Sequence, residues 1–539
     1  MRKFSSFFQR TLLCLCAASV LAGAACGRST QPGAARDVIT FNVSEDPHSL
    51  NPILAQSDDE RQIAHLAFDM LLDVDPSGRQ IPALAREVPT TANGGVSADG
   101  RTITYHLRRG VYWQDGVAFT SRDVRFTWHA IVEPRNDVPS THGYDLIAAV
   151  DTPDDYTAVV HLKRAWGPAV QTLFTYGVHP MPILPAHLLE GRGQLRDAPF
   201  NLHPVGTGAF ILDSWDRGAR LFYRANPHYY RGAPRARTLV VEEVPDINTD
   251  LTLLRSGELD WSLLSPAQRL SLGTPATLTV DFAPFAGFGA LTFNCRRPPF
   301  DDVRMRRALT QAIDRRKLSS AITQGQYPVT DSDQPPFSWA YDPGARLPAY
   351  DPAAADAALD ALGYARGPDG MRARGGRPLE IGIAVFPEGD TAVRTAEYVQ
   401  AMLHARGIAV TIKKVTLAHF YLPKSVGGLL MSGKFDMAYF AWRAGEDPDD
   451  SDIVTCAGPQ NYAGYCDPAL DRLENLALTR TDRRERQALY SRVQRQLASE
   501  VPYVFLYAPR YGYARVKNLR GFAPTPFSPT WNAWQWYKK

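Results

Sequence analysis

Five carboxylates fall within seven residues at Glu446, Asp447, Asp449, Asp450 and Asp452, directly after the apolar, aromatic run Phe435, Met437, Tyr439, Phe440, Trp442 and a single cation, Arg443. Two chemistries use such a cluster: coordination of a metal cation, or pairing with a cationic group on a ligand. The alternate spacing of Asp447, Asp449 and Ser451 is that of a calcium loop. Such a loop also needs glycine at its sixth position and a bidentate glutamate at its twelfth, and Asp452 and Gly458 stand there instead. No metal is therefore expected. For ligand contact, the apolar run reads as a buried strand whose polar end opens on a pocket. Trp442 would supply a flat apolar wall, with Tyr439 beside it. Arg443 would take a carboxylate in a bidentate grip, with Glu446 and Asp447 as further ligand contacts. The same residues would serve equally as a strand followed by a solvated acidic turn.

Catalysis has no comparable signal. No nucleophile elbow, zinc-binding helix, phosphate loop or dinucleotide fingerprint occurs, and the 12 histidines are scattered. A net charge of +3 from 59 basic and 56 acidic residues gives no reason to expect nucleic acid as a partner. At 539 residues the chain exceeds one core and should fold as several lobes.

The first residues address the chain. Arg2, Lys3 and Arg10 precede an apolar stretch, 11–25, too short to span a bilayer and suited to a signal peptide over 1–25. It ends in LAGAAC with Cys26, followed by a polar tether over 26–36, which is similar to a bacterial lipoprotein signal with Cys26 as the lipid anchor. Gly23 stands where that signal carries leucine, so cleavage after Ala24 by an ordinary signal peptidase is the alternative. Cys14 and Cys16 leave with the signal peptide. In an oxidising compartment Cys456 and Cys466, ten residues apart around a loop rich in Gly, Pro and Asn, are expected to form a disulfide, and Cys295 to be a small buried hydrophobe.

Behind the tether, a first strand is expected over 37–43 and a helix over 59–72 with Ile63, Leu66, Ala67, Met70 and Leu71 on one face. At 97–131 an Asp99-Gly100 turn joins alternating strands, Asp115-Gly116 marks a second turn, and Thr120 or Ser121 caps a helix with Asp123 in its first turn. This stretch closely resembles the signature of the family 5 extracytoplasmic solute-binding proteins of ABC importers, which bind oligopeptides, dipeptides and nickel chelates. The resemblance continues through Pro204-Val205-Gly206-Thr207-Gly208, the Asn226-Pro227 turn, Gly257-Glu258 with Asp260, and a strand, Pro-Pro-Phe turn and Asp302-capped helix over 291–318.

It implies an α/β, two-lobe periplasmic-binding-protein-like fold of class II with an extra inserted domain. Domain I would comprise 37–83, 204–286 and 507–539, domain II 84–203, and domain III 287–506. Ligand would lie between domains I and III and be enclosed on closure. Peptide-binding relatives carry, three residues after the tryptophan, an aspartate that accepts the peptide ammonium. Here that position is Gly445, and Glu446 is the residue placed to substitute. Gly287 and Gly289 would admit close backbone approach, with Phe285 or Phe288 covering the ligand. The function implied is capture of a peptide or other small solute and its delivery to an ABC permease and its ATPase subunits. Neither a catalytic step nor a cofactor is expected, and the protein would act as a monomer in the periplasm or at the cell-envelope surface, lipid-anchored to a membrane. Within that role a metal chelate, an opine or a sugar-like solute is the alternative ligand, and presentation of ligand to a sensor is the alternative use.

Overall fold

The described residues of the computed structural model are 37–177, 179–387, 389–421 and 427–539, so the signal peptide, the tether and Cys26 lie outside them. Two large sheets organise the chain. A seven-stranded sheet runs in the order Leu278–Pro284, Arg510–Val516, Trp261–Leu264, Val38–Val43, Thr238–Glu243, Arg220–Ala225, Phe210–Asp216. A five-stranded sheet runs Ala409–Lys414, Glu380–Val385, Met437–Arg443, Gly287–Phe293, Tyr503–Tyr507. The sequence GFGALTF of the strand Gly287–Phe293 is buried at every position. A strand covered on both faces loses the polar alternation seen in Val38–Val43, where half-buried and buried residues alternate. A third sheet, Thr102–His106, Thr157–Leu162 and Ile147–Asp154, packs with the helix Ser121–Val132. Thr120 and Asp123 form the capping box of that helix.

The apolar run PYVFLYAPRY, 502–511, contributes to two strands. It divides into Tyr503–Tyr507 in the five-stranded sheet and Arg510–Val516 in the seven-stranded one, so the chain crosses between sheets at 508–509. A second crossing lies at 285–286, between Leu278–Pro284 and Gly287–Phe293. The two crossings are adjacent, with the Phe285 N–H donating to the Pro509 carbonyl at 3.0 Å. These two crossings are the segments that join the two large sheets here, side by side.

The helix expected over 59–72 is shorter, Asp58–Ala67. Ser57 accepts from the Glu60 N–H, and the Glu60 carboxylate accepts from the Ser57 N–H, which fixes its start. Phe68 is already extended, and the Leu71 N–H pairs with the Phe174 carbonyl at 3.0 Å. Met70 and Leu71 are buried as the apolar spacing implied, but through tertiary pairing outside the helix.

Candidate functional site

The strand Met437–Arg443 runs antiparallel to Gly287–Phe293 with Arg443 opposite Gly287. Gly287 has φ +152°, and a Cβ there would lie 1.8 Å from the Trp442 carbonyl oxygen. Glycine is therefore required for the two strands to close to their ends. The strand end delivers Arg443 to the hinge. Its guanidinium lies 5.4 Å over the Phe285 ring, donates to the Tyr511 hydroxyl at 2.8 Å, and reaches across to the Asp58 carboxylate on the first helix. Arg443 thus touches the crossing segment, the seven-stranded sheet and the helix beside it. Asp58 also takes a hydrogen bond from Arg61 at 2.8 Å. Close by, the buried imidazole of His179 is pushed down to about 4, first by burial and then by Arg61 and Arg443, so it stays neutral.

Glu446 faces another part of the chain. Its N–H donates to the Tyr176 carbonyl at 3.3 Å, and Oε1 accepts from the Gln171 side chain at 3.2 Å. Oε2 is buried and has no hydrogen-bond partner among the described residues. Burial drives this carboxyl well above the ordinary glutamate value, against the opposing pull of the Gln171 side chain and the Arg483 guanidinium. Glu446 lines a cavity of about 420 Å³ together with Gln80, Gln171, Trp166, Trp339 and Arg483.

The other expected contacts fare differently. Asp447 forms a two-pronged pair with Arg486, at 2.6 Å on both prongs, with both side chains buried. Against the downward push of burial, the Asp447 carboxylate holds Arg486 above the ordinary guanidinium value. The acceptor capacity of Asp447 is thereby committed to the protein, not to a ligand. Tyr439 is buried with its hydroxyl bonded to that of Tyr507, and Phe288 is buried edge-on against Phe505, with ring centroids 5.1 Å apart. Both are packed in the core of the five-stranded sheet. Trp442 stacks on Tyr462 at 5.5 Å and 12°, in a cluster with Phe440 and Phe420, and its Nε1 is buried without a partner among the described residues. Asp450 and Glu474 are buried against each other and Asp333. Burial, then the neighbouring carboxylates, raises both well above the ordinary range. Cys456 and Cys466 are joined, and Cys295 is free and half-buried.

Asp58, Arg61, Gln171 and Tyr511 were not among the residues singled out from sequence. Asp58 and Arg443 lie 385 positions apart, and no spacing rule links residues at that separation. The one usable signal was the acidic first turn of a capped helix.

Residues 79–464 match the family described as bacterial extracellular solute-binding proteins, family 5 (middle region). The chain is 30% identical to Protein XP55 of Streptomyces lividans over 483 residues, 88% of this chain and 83% of that protein. It is 29% identical to the Di/tripeptide-binding protein 2 of Pseudomonas aeruginosa over 499 residues, 86% of this chain and 88% of that one. The fold is similar to the crystal structure of NikA from Brucella suis in complex with Fe(III)-EDTA, with a TM-score of 0.81, 21% identity, and 93% of this chain and 100% of that one covered. The chain belongs to the family 5 bacterial extracellular solute-binding proteins and has their two-lobe periplasmic-binding-protein fold. The family comprises binding proteins, not enzymes, working outside the cytoplasm. Among the described residues no helix is long and apolar enough to cross a membrane.

Proposed function

We propose that this chain captures a peptide or peptide-like solute and passes it to an ABC permease, acting as a monomer exported by its signal peptide and held to a membrane through lipid on Cys26. The capturing lobes are 37–83 with 204–286 and 507–539, and 287–506, with 84–203 as an inserted domain. The observation that carries this reading is the segment 443–446, four residues that reach four parts of the chain. Arg443 meets Asp58, Phe285 and Tyr511 at the hinge, and Glu446 meets Gln171 and Tyr176 beside the cavity. A solute held there touches both lobes at once and so favours the closed form, which is all that capture requires. The name of the Pseudomonas relative supports peptides as the class.

In this reading Glu446 accepts the peptide ammonium in the place left empty by Gly445. Burial raises the Glu446 carboxyl, so an ammonium that binds it should draw it toward the ionised form and release a proton. Affinity should then rise with pH through the raised Glu446 value, and calorimetry in two buffers of different ionisation enthalpy should register the released proton. Glu446→Ala should weaken a peptide that co-purifies with the protein by about 2 kcal/mol. Native mass spectrometry of the purified protein identifies that peptide. Unchanged affinity in the variant, together with no proton release, would remove Glu446 from the site. A carboxylate-rich solute such as a metal chelate is the second reading, favoured by the two guanidiniums at Asp58. The mass of the co-purified species separates the two.

A further inference from the structure

The charges around Arg443 do not balance. Arg61 and Arg443 share one carboxylate, Asp58, and the adjacent His179 is neutral. The other carboxylates of that turn are committed elsewhere. Asp59 accepts from the Ser44 N–H at 2.7 Å and its hydroxyl at 2.6 Å, and Glu60 from the His48 N–H at 2.7 Å and the Gln56 N–H at 2.6 Å. Exposure is also uneven. The Asp58 side chain is 55% exposed, against 17% for Arg61 and 25% for Arg443. The two cations are the fixed floor and the anion is the lid. Arg443 is held by Tyr511 and Phe285, and Arg61 by the Gln56 carbonyl at 3.1 Å. Among the described residues only the two arginines bond the Asp58 side chain, and the helix start does not need it, because Ser57 and Glu60 make the capping box.

We infer that Asp58 is an internal stand-in for a ligand carboxylate, so that a solute's carboxylate displaces it and is read by Arg61 and Arg443 together. The inference rests on the solute-capture reading above and adds which end of the solute is recognised at the hinge. A planar carboxylate is the group that two converging guanidiniums suit best, and an internal competitor lowers apparent affinity by the fraction of time it occupies the pair. It also sets a threshold, since a solute lacking a carboxylate gains nothing by opening the Asp58 contact.

The test uses the full chain, as wild type, Asp58→Asn and Arg443→Gln. Calorimetry is run with tri-L-alanine and with its C-terminal amide, and thermal melting in sodium acetate against sodium chloride at equal ionic strength. Asp58→Asn should bind tri-L-alanine about tenfold tighter or more, with the amide unaffected, and Arg443→Gln should lose the preference for the free acid. Acetate should raise the melting temperature of Asp58→Asn more than that of the wild type. If Asp58→Asn binds tri-L-alanine equally or more weakly, Asp58 is a clasp or an ammonium acceptor and the inference is wrong, while the peptide reading stands. If tri-L-alanine binds no variant but acetate separates the two chains, the carboxylate site stands and the peptide reading fails. Equal acetate responses without peptide binding overturn both.

Discussion

Arg486→Met should lower stability by about 3–5 kcal/mol, the range for removing one partner of a buried ion pair. The pair is buried on both sides, and among the described residues Arg486 is the cation that bonds Asp447 directly. Asp447 cannot recover water in that position, so it must either take up a proton or force the loop open. Because Asp447 follows Glu446 directly, the loss extends to the candidate site, and solute affinity should fall with stability. Trp339 gives a local readout, since the Arg486 guanidinium lies 5.4 Å over its ring. Its fluorescence in a urea titration should shift to lower denaturant in Arg486→Met and in Asp447→Ala. The double variant should regain much of the loss, because no unpaired charge is left buried. Additive losses in the double variant would show that packing, not the charge pair, sets the cost.

The same pair shows why the sequence was informative to unequal depth. The strand Met437–Arg443 and the capped helices at Thr120 and Asp302 all rest on residues near one another in the chain, where periodicity and turn chemistry operate. Which carboxylate of the acidic run faces a cavity and which faces an arginine depends on a helix some 40 residues later. Asp447 meets Arg486 across that interval, and Glu446 meets Gln171 across 275 residues. Neighbours in sequence with the same charge therefore read alike and are used differently. Phe288 and Tyr439 illustrate the complementary ambiguity: an aromatic residue at a strand end suits a ligand wall and a sheet core equally well, and cross-strand partners such as Phe505 and Tyr507 decide it.

The protein should also be more stable at mildly acidic than at mildly alkaline pH, with Glu474 and Asp450 as the cause. Both carboxyls are buried, and among the described residues neither finds a hydrogen-bond donor. Their folded values lie well above the ordinary carboxylate value, first because burial disfavours the charged form, and then because Asp450 faces Glu474 and Asp333 while Glu474 faces Asp449 and Asp333. In the unfolded chain both titrate near about 4. Between that value and the raised one the folded protein binds more protons than the unfolded chain, so stability falls as pH rises. The contribution is complete below the unfolded value and is lost as pH climbs through the folded one. Glu474→Gln removes one charge and supplies a donor to Asp450 at nearly constant volume. Its melting temperature should exceed that of the wild type above neutral pH, by the equivalent of about 1–3 kcal/mol, and the two should converge toward pH 5. The melting curves at pH 5, 7 and 9 check this directly. A wild-type profile that stays flat, or a variant that is less stable at every pH, would mean that the two carboxyls are ionised and neutralised within the fold. The acid cluster would then be held by cations and not by shared protons.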